Sequence, residues 1–261
     1  MQILVNGACG RLGSELCRLL EDGYQEDVLS GAVDLRAAPE SGVLHRLADF
    51  DGNADAVIDF SHHSAAFDLC AFCEERRVPL VIAATGQTTA ENARLAQCAQ
   101  VLPVFQAANL SPGGALLGEL CRTAAAALPD ADAEIIELHH SGKRDAPSGT
   151  ALQLAAALAE ARPDSRLQYG RGKAAVRAAG EIGVHAVRLG TLAGTHSVLL
   201  SAGDETVVLT HIVHHPRIYA LGALLAAHFL LGRAPGLYTM PQLLAERRAH
   251  PPEHCKEEKR P

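Results

Sequence analysis

The stretch from Gln2 to Asp34 constrains the fold more than any other part of the chain. Gln2 to Asn6 is a short apolar run of strand length. It leads into Gly7-Ala8-Cys9-Gly10-Arg11-Leu12-Gly13 and then a segment to about Asp22 with Leu12, Leu16, Leu19 and Leu20 at helical spacing. A second apolar run, Val28 to Val33, ends on Asp34. Strand, glycine turn, helix, strand and terminal acid, in that order, form the context that a dinucleotide-binding turn requires. The glycines allow a tight turn and a close approach of backbone to a pyrophosphate, which sits on the helix N-terminus. A carboxylate at Asp34 can accept hydrogen bonds from ribose hydroxyls. The spacing is G-x-x-G-x-x-G, with Cys9 in the slot that a second glycine usually holds.

The same alternation continues. Ala56 to Phe60, Val78 to Ala83 and Val101 to Ala107 read as further strands, with helices through Arg76 and over Glu91 to Gln100 between them. Strands alternating with helices predict an α/β, doubly wound, Rossmann-like parallel sheet. Ligands bind beyond the carboxyl ends of such strands, so Ser61, Thr85 and Asn109 are expected to line the cofactor crevice. Pro112-Gly113-Gly114 marks a break before a helix to about Leu128. Beyond it come three β-rich runs, Ile182 to Leu189, His196 to Ser201 and Thr206 to Val213, split by Gly194-Thr195 and Gly203-Asp204 as hairpin-type turns. These predict a second, α+β domain with a mixed sheet of about four strands and two helices. Ile218 to Leu231 and Pro241 to Arg248 read as closing helices, and the Pro- and charge-rich tail from His250 to Pro261 as frayed.

The second domain holds the densest chemistry. In Glu134 to Leu152 an apolar run (Ile135, Ile136, Leu138) feeds His139 and His140, and a polar loop follows with Gly142, Lys143, Arg144 and Asp145. Pro147 ends the loop and Ser148 opens a helix. Neighbouring strand residues point to opposite faces, so the two histidines serve one site only where the strand ends. Histidine exchanges protons near neutral pH. Ser148, Gly149 and Thr150 offer hydroxyls and free N–H groups at a helix N-terminus, which suits a carboxylate. Proton donors beside a carboxylate pocket suggest chemistry on a small anionic molecule. A strand end with surface histidines and an ordinary cap is the plainer alternative.

Composition narrows the field. The net charge of −7 over 261 residues and the absence of tryptophan suggest neither nucleic acid nor an anionic membrane as partner. The longest apolar run, Leu221 to Leu231, contains His228 and is too short to span a bilayer. Met1 leads into Ile3-Leu4-Val5 without a basic region, so no signal peptide is expected. Seven scattered cysteines fit buried thiols in a reducing cytoplasm, and Cys70 and Cys73, a C-x-x-C without a second ligand pair, are expected to be packed thiols; no metal site is expected.

Glu137-Leu138-His139-His140-Ser141-Gly142-Lys143-Arg144-Asp145-Ala146-Pro147-Ser148-Gly149-Thr150-Ala151 fits the signature E-x-H-H-x-x-K-x-D-x-P-S-G-T-A of the 4-hydroxy-tetrahydrodipicolinate (dihydrodipicolinate) reductases at every fixed position. Supporting pieces are the N-terminal glycine turn, Ile58-Asp59-Phe60-Ser61, Ala84-Thr85-Gly86, Ala107-Ala108-Asn109, Gly183 to Arg188 and Gly236-Leu237-Tyr238. The chain resembles that family over nearly its whole length. The resemblance implies a dinucleotide-binding domain from 1–110 and 217–261, with a substrate-binding and oligomerisation domain, 111–216, inserted in it. It implies NADH- or NADPH-dependent reduction of a small cyclic dicarboxylate, with loss of water, in lysine and diaminopimelate biosynthesis by a cytoplasmic homotetramer. By resemblance His139 is the proton donor/acceptor and Lys143 protonates the enamine left after hydride transfer. His140 is a substrate ligand, and Ser148, Gly149 and Thr150 cradle a carboxylate. Cofactor contacts fall on Gly7, Ala8, Cys9, Gly10, Arg11, Leu12, Asp34, Ala84, Thr85, Gly86, Ala107, Ala108, Asn109 and Leu110.

Three positions depart from the pattern. His62 stands where many members carry arginine. Leu35 separates Asp34 from Arg36, which is expected to turn Arg36 the other way. The usual Arg-Gly-Gly-Asp reads Arg188-Leu189-Gly190-Thr191. With Asp34 at the ribose and no cation assured beside it, NADH is expected to serve at least as well as NADPH. Two other classes compete. An amino-acid dehydrogenase of similar layout would not require the H-H-x-x-K and P-S-G-T-A pair, and a nucleotide-sensing regulator would have lost His139 and Lys143.

Overall fold

The computed structural model describes residues 1–173 and 176–250, so the tail expected to fray lies, from 251 on, outside the described residues. The elements, in chain order, are β1 (Gln2–Asn6), α1 (Arg11–Glu21), β2 (Val28–Val33), β3 (Ala56–Asp59), α2 (Ala66–Arg76), β4 (Leu80–Ile82), α3 (Thr89–Cys98), β5 (Pro103–Gln106) and α4 (Pro112–Ala127). There follow β6 (Asp132–His139), α5 (Gly149–Glu160), β7 (Arg166–Tyr169), β8 (Glu181–Arg188), β9 (Gly194–Ala202), β10 (Glu205–Val213), α6 (Arg217–Leu230), β11 (Gly236–Tyr238) and α7 (Met240–Ala249). Two compact units result: Met1–Ala108 with the segment from Ala220 onward, and Asn109–Tyr219.

The first unit is built on a six-stranded sheet of order β11-β5-β4-β3-β1-β2, and every pairing in it is parallel. Its strands read as continuous apolar runs because both faces are covered. On one face Leu69, Cys70, Phe72 and Cys73 of α2, with Leu95 and Cys98 of α3, meet Leu4, Val57, Leu80, Ile82 and Val104. Cys70 and Cys73 are therefore core thiols, as their apolar helix setting suggested. Strand order reverses beside β1, with β2 on one side and β3 on the other, so the ends of β1 and β3 form the switch-point crevice of a doubly wound sheet. The sixth strand, β11, escaped the sequence reading because three residues after Pro235 carry no periodic signal; an edge-to-face chain of Phe105, Phe229 and Tyr238 secures it.

The second unit has a five-stranded mixed sheet, β10-β9-β6-β8-β7, one strand more than expected. The extra strand, β7, is short and polar at Arg166 and Gln168, and its pairing with β8 alone reveals it. β6 runs parallel to β8 and antiparallel to β9, and β9 antiparallel to β10. α4 and α5 cover one face, where Leu117, Cys121, Leu154 and Leu158 pack on Ile135, Ile182, Val198 and Leu200. Register then places Glu137 of β6 beside His196 of β9, and His196 beside His211 of β10, a polar row on the same helix-covered face. On the opposite face Val208 and Ile212 are 55% and 52% exposed.

The turn after β1 is sterically closed to any side chain. A Cβ on Gly7, whose φ is +82°, would lie 2.6 Å from the backbone of Phe60 and Ser61, and one on Gly13 would lie 2.1 Å from the Gly7 carbonyl oxygen. The third glycine thus permits the close packing of α1 on the turn. Gly13→Ala is expected to destabilise the protein by at least the ~1–3 kcal/mol typical of overpacking, because backbone cannot yield as a side chain does. Gly118→Ala, inside α4, where a Cβ would meet only the end of the Arg122 side chain at 4.0 Å, is expected to stabilise by up to ~1 kcal/mol. Denaturant-unfolding midpoints of the two variants against wild type check the pair; equal effects would contradict the steric account.

Candidate active site

In the second unit the site grows from the end of β6. Glu137 and His139 point to the same, buried side, being two residues apart on one strand. Glu137 is fully buried and His139 is 6% exposed. One Glu137 oxygen takes a short hydrogen bond from His139 Nδ1. The other accepts the backbone N–H of Ser148 at 3.1 Å and the Arg188 guanidinium at 2.8 Å. Burial works to raise the Glu137 carboxyl, but Arg188, His139 and the Ser148 N–H outweigh it and hold it below the usual range. For His139 burial dominates: it lowers the imidazole below its ordinary value, against the pull of Glu137 and aided by Lys143 and Arg188. With Nδ1 committed to the carboxylate, Nε2 is the nitrogen left to act. Gly194 leaves space beside it, since a Cβ there would lie 3.0 Å from Nε2.

The loop after β6 returns on itself through Lys143 N–H to the His140 carbonyl, 3.1 Å, and Ser141 N–H to the Gly190 carbonyl, 3.1 Å. Lys143 Nζ pairs with Asp145 at 2.8 Å, and Arg188 also donates to the Asp145 carbonyl at 2.6 Å. Ser148 caps α5, its Oγ accepting the Ala151 N–H at 3.2 Å and lying 3.0 Å from His196 Nε2. Gly149 and Thr150 occupy the first turn, where backbone N–H groups have no acceptor inside the helix. Thr150 Oγ1 accepts from Asn109 Nδ2 at 2.9 Å. The fold thus brings His139, Ser148 and Thr150 to one end of α5 within this unit, with Lys143 on the loop that leads there.

Four participants were missed in the residue-by-residue reading: Glu137, Arg188, His196 and Gly194. Glu137 stood inside the signature without a role. His196 read only as a strand residue, and its partner Ser148 is 48 positions away. Glu137, His139 and His196 could also form a three-ligand metal group by proximity. The Arg188 cation on Glu137 and the hydrogen bond to His139 already satisfy that carboxylate, a donor set that disfavours a cation.

In the first unit a cleft of about 560 Å³ opens at the switch point, lined among others by Gly7, Asp34, Arg36, Arg46, Ser61 and His62. α1 begins there at Gly10 with no side-chain cap and no acid in its first turn, leaving its N–H groups free for an anion. Asp34 is 5% exposed; it accepts the Cys9 N–H at 3.0 Å and the Arg36 N–H at 2.8 Å, and its two oxygens each take a side-chain bond of 3.1 Å from Arg36. Burial pushes the Asp34 carboxyl up, yet these donors hold it below the usual range. The expectation that Leu35 turns Arg36 away is therefore corrected. Leu35 is the residue that points out, 82% exposed, while the Arg36 side chain folds back onto Asp34 and keeps 69% of its surface open in the cleft. Ala84, Thr85 and Gly86 form the turn after β4, with Gly86 at φ +89° and the Ala84 carbonyl bonded by Gln87; Ala107 N–H reaches the Ile82 carbonyl at 3.2 Å. Asn109 belongs to the second unit, where its amide holds Thr150 and the Ser111 N–H, and Leu110 is buried.

Residues 1–110 match the family model described as dihydrodipicolinate reductase, N-terminus, and residues 113–244 the one described as dihydrodipicolinate reductase, C-terminus. Proteins named 4-hydroxy-tetrahydrodipicolinate reductase from Caldanaerobacter subterraneus subsp. tengcongensis and Thermomicrobium roseum are 38% and 40% identical to the chain, covering 94% of it in each case and 98% and 99% of their own lengths. The solved structure of a dipicolinate-bound dihydrodipicolinate reductase from Paenisporosarcina sp. TG-14 superposes with a TM-score of 0.76 at 25% identity, over 92% of this chain and 97% of that one. A diaminopimelate dehydrogenase of C. glutamicum, at 15% identity and a TM-score of 0.57, shares the fold. With both family models matched end to end along nearly the whole of its length, the chain belongs to the dihydrodipicolinate reductase family.

Proposed function

We propose that the chain reduces 4-hydroxy-tetrahydrodipicolinate to tetrahydrodipicolinate, with release of water, at the end of α5, using NADH or NADPH held in the cleft of the first unit. The observation that carries this is the buried Glu137–His139 pair beside the uncapped N–H groups of Gly149 and Thr150. The first unit fits a dinucleotide: Gly7 lets the turn close against the backbone of Phe60 and Ser61, α1 offers an open N-terminus, and Arg36 lies at the ribose end. A bound nicotinamide supplies the hydride. The chain supplies position and protons. Ser148, Gly149 and Thr150 hold one substrate carboxylate, and His140 is a second ligand. Glu137 keeps His139 in one tautomer, so that Nε2 exchanges the proton, and its charge stabilises the imidazolium when His139 carries one. Lys143 donates the proton that the C3 carbon takes after hydride reaches C4.

A coupled assay, generating the cyclic substrate from pyruvate and aspartate semialdehyde and following nicotinamide oxidation, tests the reading. His139→Ala and Lys143→Ala are each expected to lower kcat by roughly 10²- to 10⁴-fold, the scale of a lost general acid or base. Wild-type turnover in both would sink the assignment.

Cofactor choice follows from Arg36. A carboxylate alone at this position disfavours the 2′-phosphate of NADPH, but here the guanidinium neutralises it and stays accessible. Both cofactors are therefore expected to serve, and Arg36 removes the lean toward NADH expected of an uncompensated carboxylate. Arg36→Ala removes the cation and unmasks Asp34 together, so kcat/KM for NADPH should fall about tenfold relative to NADH, roughly 1.4 kcal/mol. The gap should narrow at higher salt. An unchanged NADPH-to-NADH ratio would refute the role.

The exposed sheet face of the second unit, with Leu199, Val208 and Ile212 among Ser197, Thr206 and Thr210, supports assembly of this chain with itself into a homotetramer. Sedimentation equilibrium should give four chains, and Val208→Glu should shift it to smaller species. A monomeric wild type would dismiss it. No described helix is long and apolar enough to cross a membrane, and the six described cysteines are free thiols; both are compatible with a cytoplasmic enzyme.

A further inference from the structure

The hydroxyls at the start of α5 are not free rotors. Ser148 Oγ has two lone pairs and one hydrogen. The Ala151 N–H takes one lone pair at 3.2 Å. His196 Nε2 lies 3.0 Å from the same oxygen. His196 is 2% exposed, its ring stands edge-to-face to His139 with centroids 5.1 Å apart, and burial pushes its pKa down to about 4, so it is neutral and carries one proton. No donor or acceptor among the described residues reaches its Nδ1. A proton there would be a buried N–H without an acceptor, which carries the full desolvation penalty. A bare lone pair is the lesser loss. The proton therefore sits on Nε2 and is donated to Ser148 Oγ, whose second lone pair is thereby used. Thr150 Oγ1 also receives a hydrogen bond, on one of its two lone pairs. Asn109 Oδ1 accepts the Ser111 N–H at 2.8 Å, and a backbone N–H cannot be reversed, so the amide orientation is fixed. Its Nδ2 must then donate to Thr150 Oγ1, at 2.9 Å.

We infer that His196 and Asn109 are positioning residues: His196 fills the last lone pair of Ser148 Oγ and makes that hydroxyl an obligate hydrogen-bond donor, and Asn109 leaves the Thr150 hydrogen free for the ligand, so that the start of α5 is selective for an ionised carboxylate over an uncharged amide or acid. Each hydroxyl receives a hydrogen bond from behind, and its own hydrogen is left for the ligand. With the N–H groups of Gly149 and Thr150 the site offers donors, and the Ser148 oxygen is closed to a ligand group that must itself donate. This deepens the reading of α5 as the carboxylate cradle and rests on it.

The test is calorimetric binding of dipicolinate and of its diamide, which needs no turnover. Wild type should bind dipicolinate and reject the diamide. His196→Phe keeps a flat ring against His139 but removes the N–H, and should weaken dipicolinate about tenfold. In a Ser148→Ala background the same change should cost nothing further, which a merely structural role would not produce. Asn109→Asp inverts one donor: a carboxylate at 109 accepts the Thr150 hydrogen, so dipicolinate should weaken by more than tenfold and discrimination against the diamide should shrink. If His196→Phe fails to fold, Asn109→Asp decides alone. Folded variants that bind dipicolinate within twofold of wild type, or a His196→Phe loss that persists without Ser148, would overturn the inference and leave the cradle standing. A wild type that does not bind dipicolinate would overturn both.

Discussion

A single buried carboxylate, Glu137, is what the second unit depends on. It joins three pieces of chain that are far apart in sequence: the end of β6 through His139, the start of α5 through the Ser148 N–H, and the end of β8 through Arg188. An unpaired ionised group in such a place would be untenable, since its desolvation costs several kcal/mol. Here each oxygen is bonded and the Arg188 cation balances the charge. The group that bonds the His139 imidazole also holds the N–H of Ser148, the capping residue of α5, so one carboxylate ties the strand end to the helix start.

Around it the polar row continues across the sheet to His196 and His211, each set against the capping serine of a helix, Ser148 for α5 and Ser111 for α4. Helix ends leave backbone donors that must be satisfied, and caps do so locally. In this unit the caps are in turn oriented by the sheet beneath them. Side chains that register sets in a row across neighbouring strands can do this with little conformational freedom to lose.

The first unit rests on an exclusion of atoms. Gly7 and Gly13 stand where a Cβ would collide with backbone, so the turn, the strand behind it and the helix close on one another. Asp34 then ties the turn to the next strand through the Cys9 N–H, and Arg36 offsets its charge. The same carboxylate thus has a structural use, holding the glycine loop, and with Arg36 sets the charge on that wall of the cleft.

Much of this was legible in the chain itself. Apolar periodicity and glycine spacing determine the parallel sheet, because β1 with its helix and β2 is specified by neighbours in sequence, and local sterics decide there. The signature likewise carries the residues proposed for proton transfer and for the cradle within fifteen positions, Glu137 to Ala151 inclusive. Other features had no local trace. β7 and β11 are too short or too polar to show a period, and exist because an edge was there to pair with. The direction of Arg36 was misread because alternation along an extended chain fails where Asp34 draws its neighbour back in a turn. Arg188, His196 and Asn109 bond to partners 51, 48 and 41 positions away, which only strand register and helix packing bring within hydrogen-bonding distance. Sequence by itself determined which residues are available for the chemistry; the tertiary structure decided which of their hydrogens and lone pairs are still free, because that depends on what is buried against them.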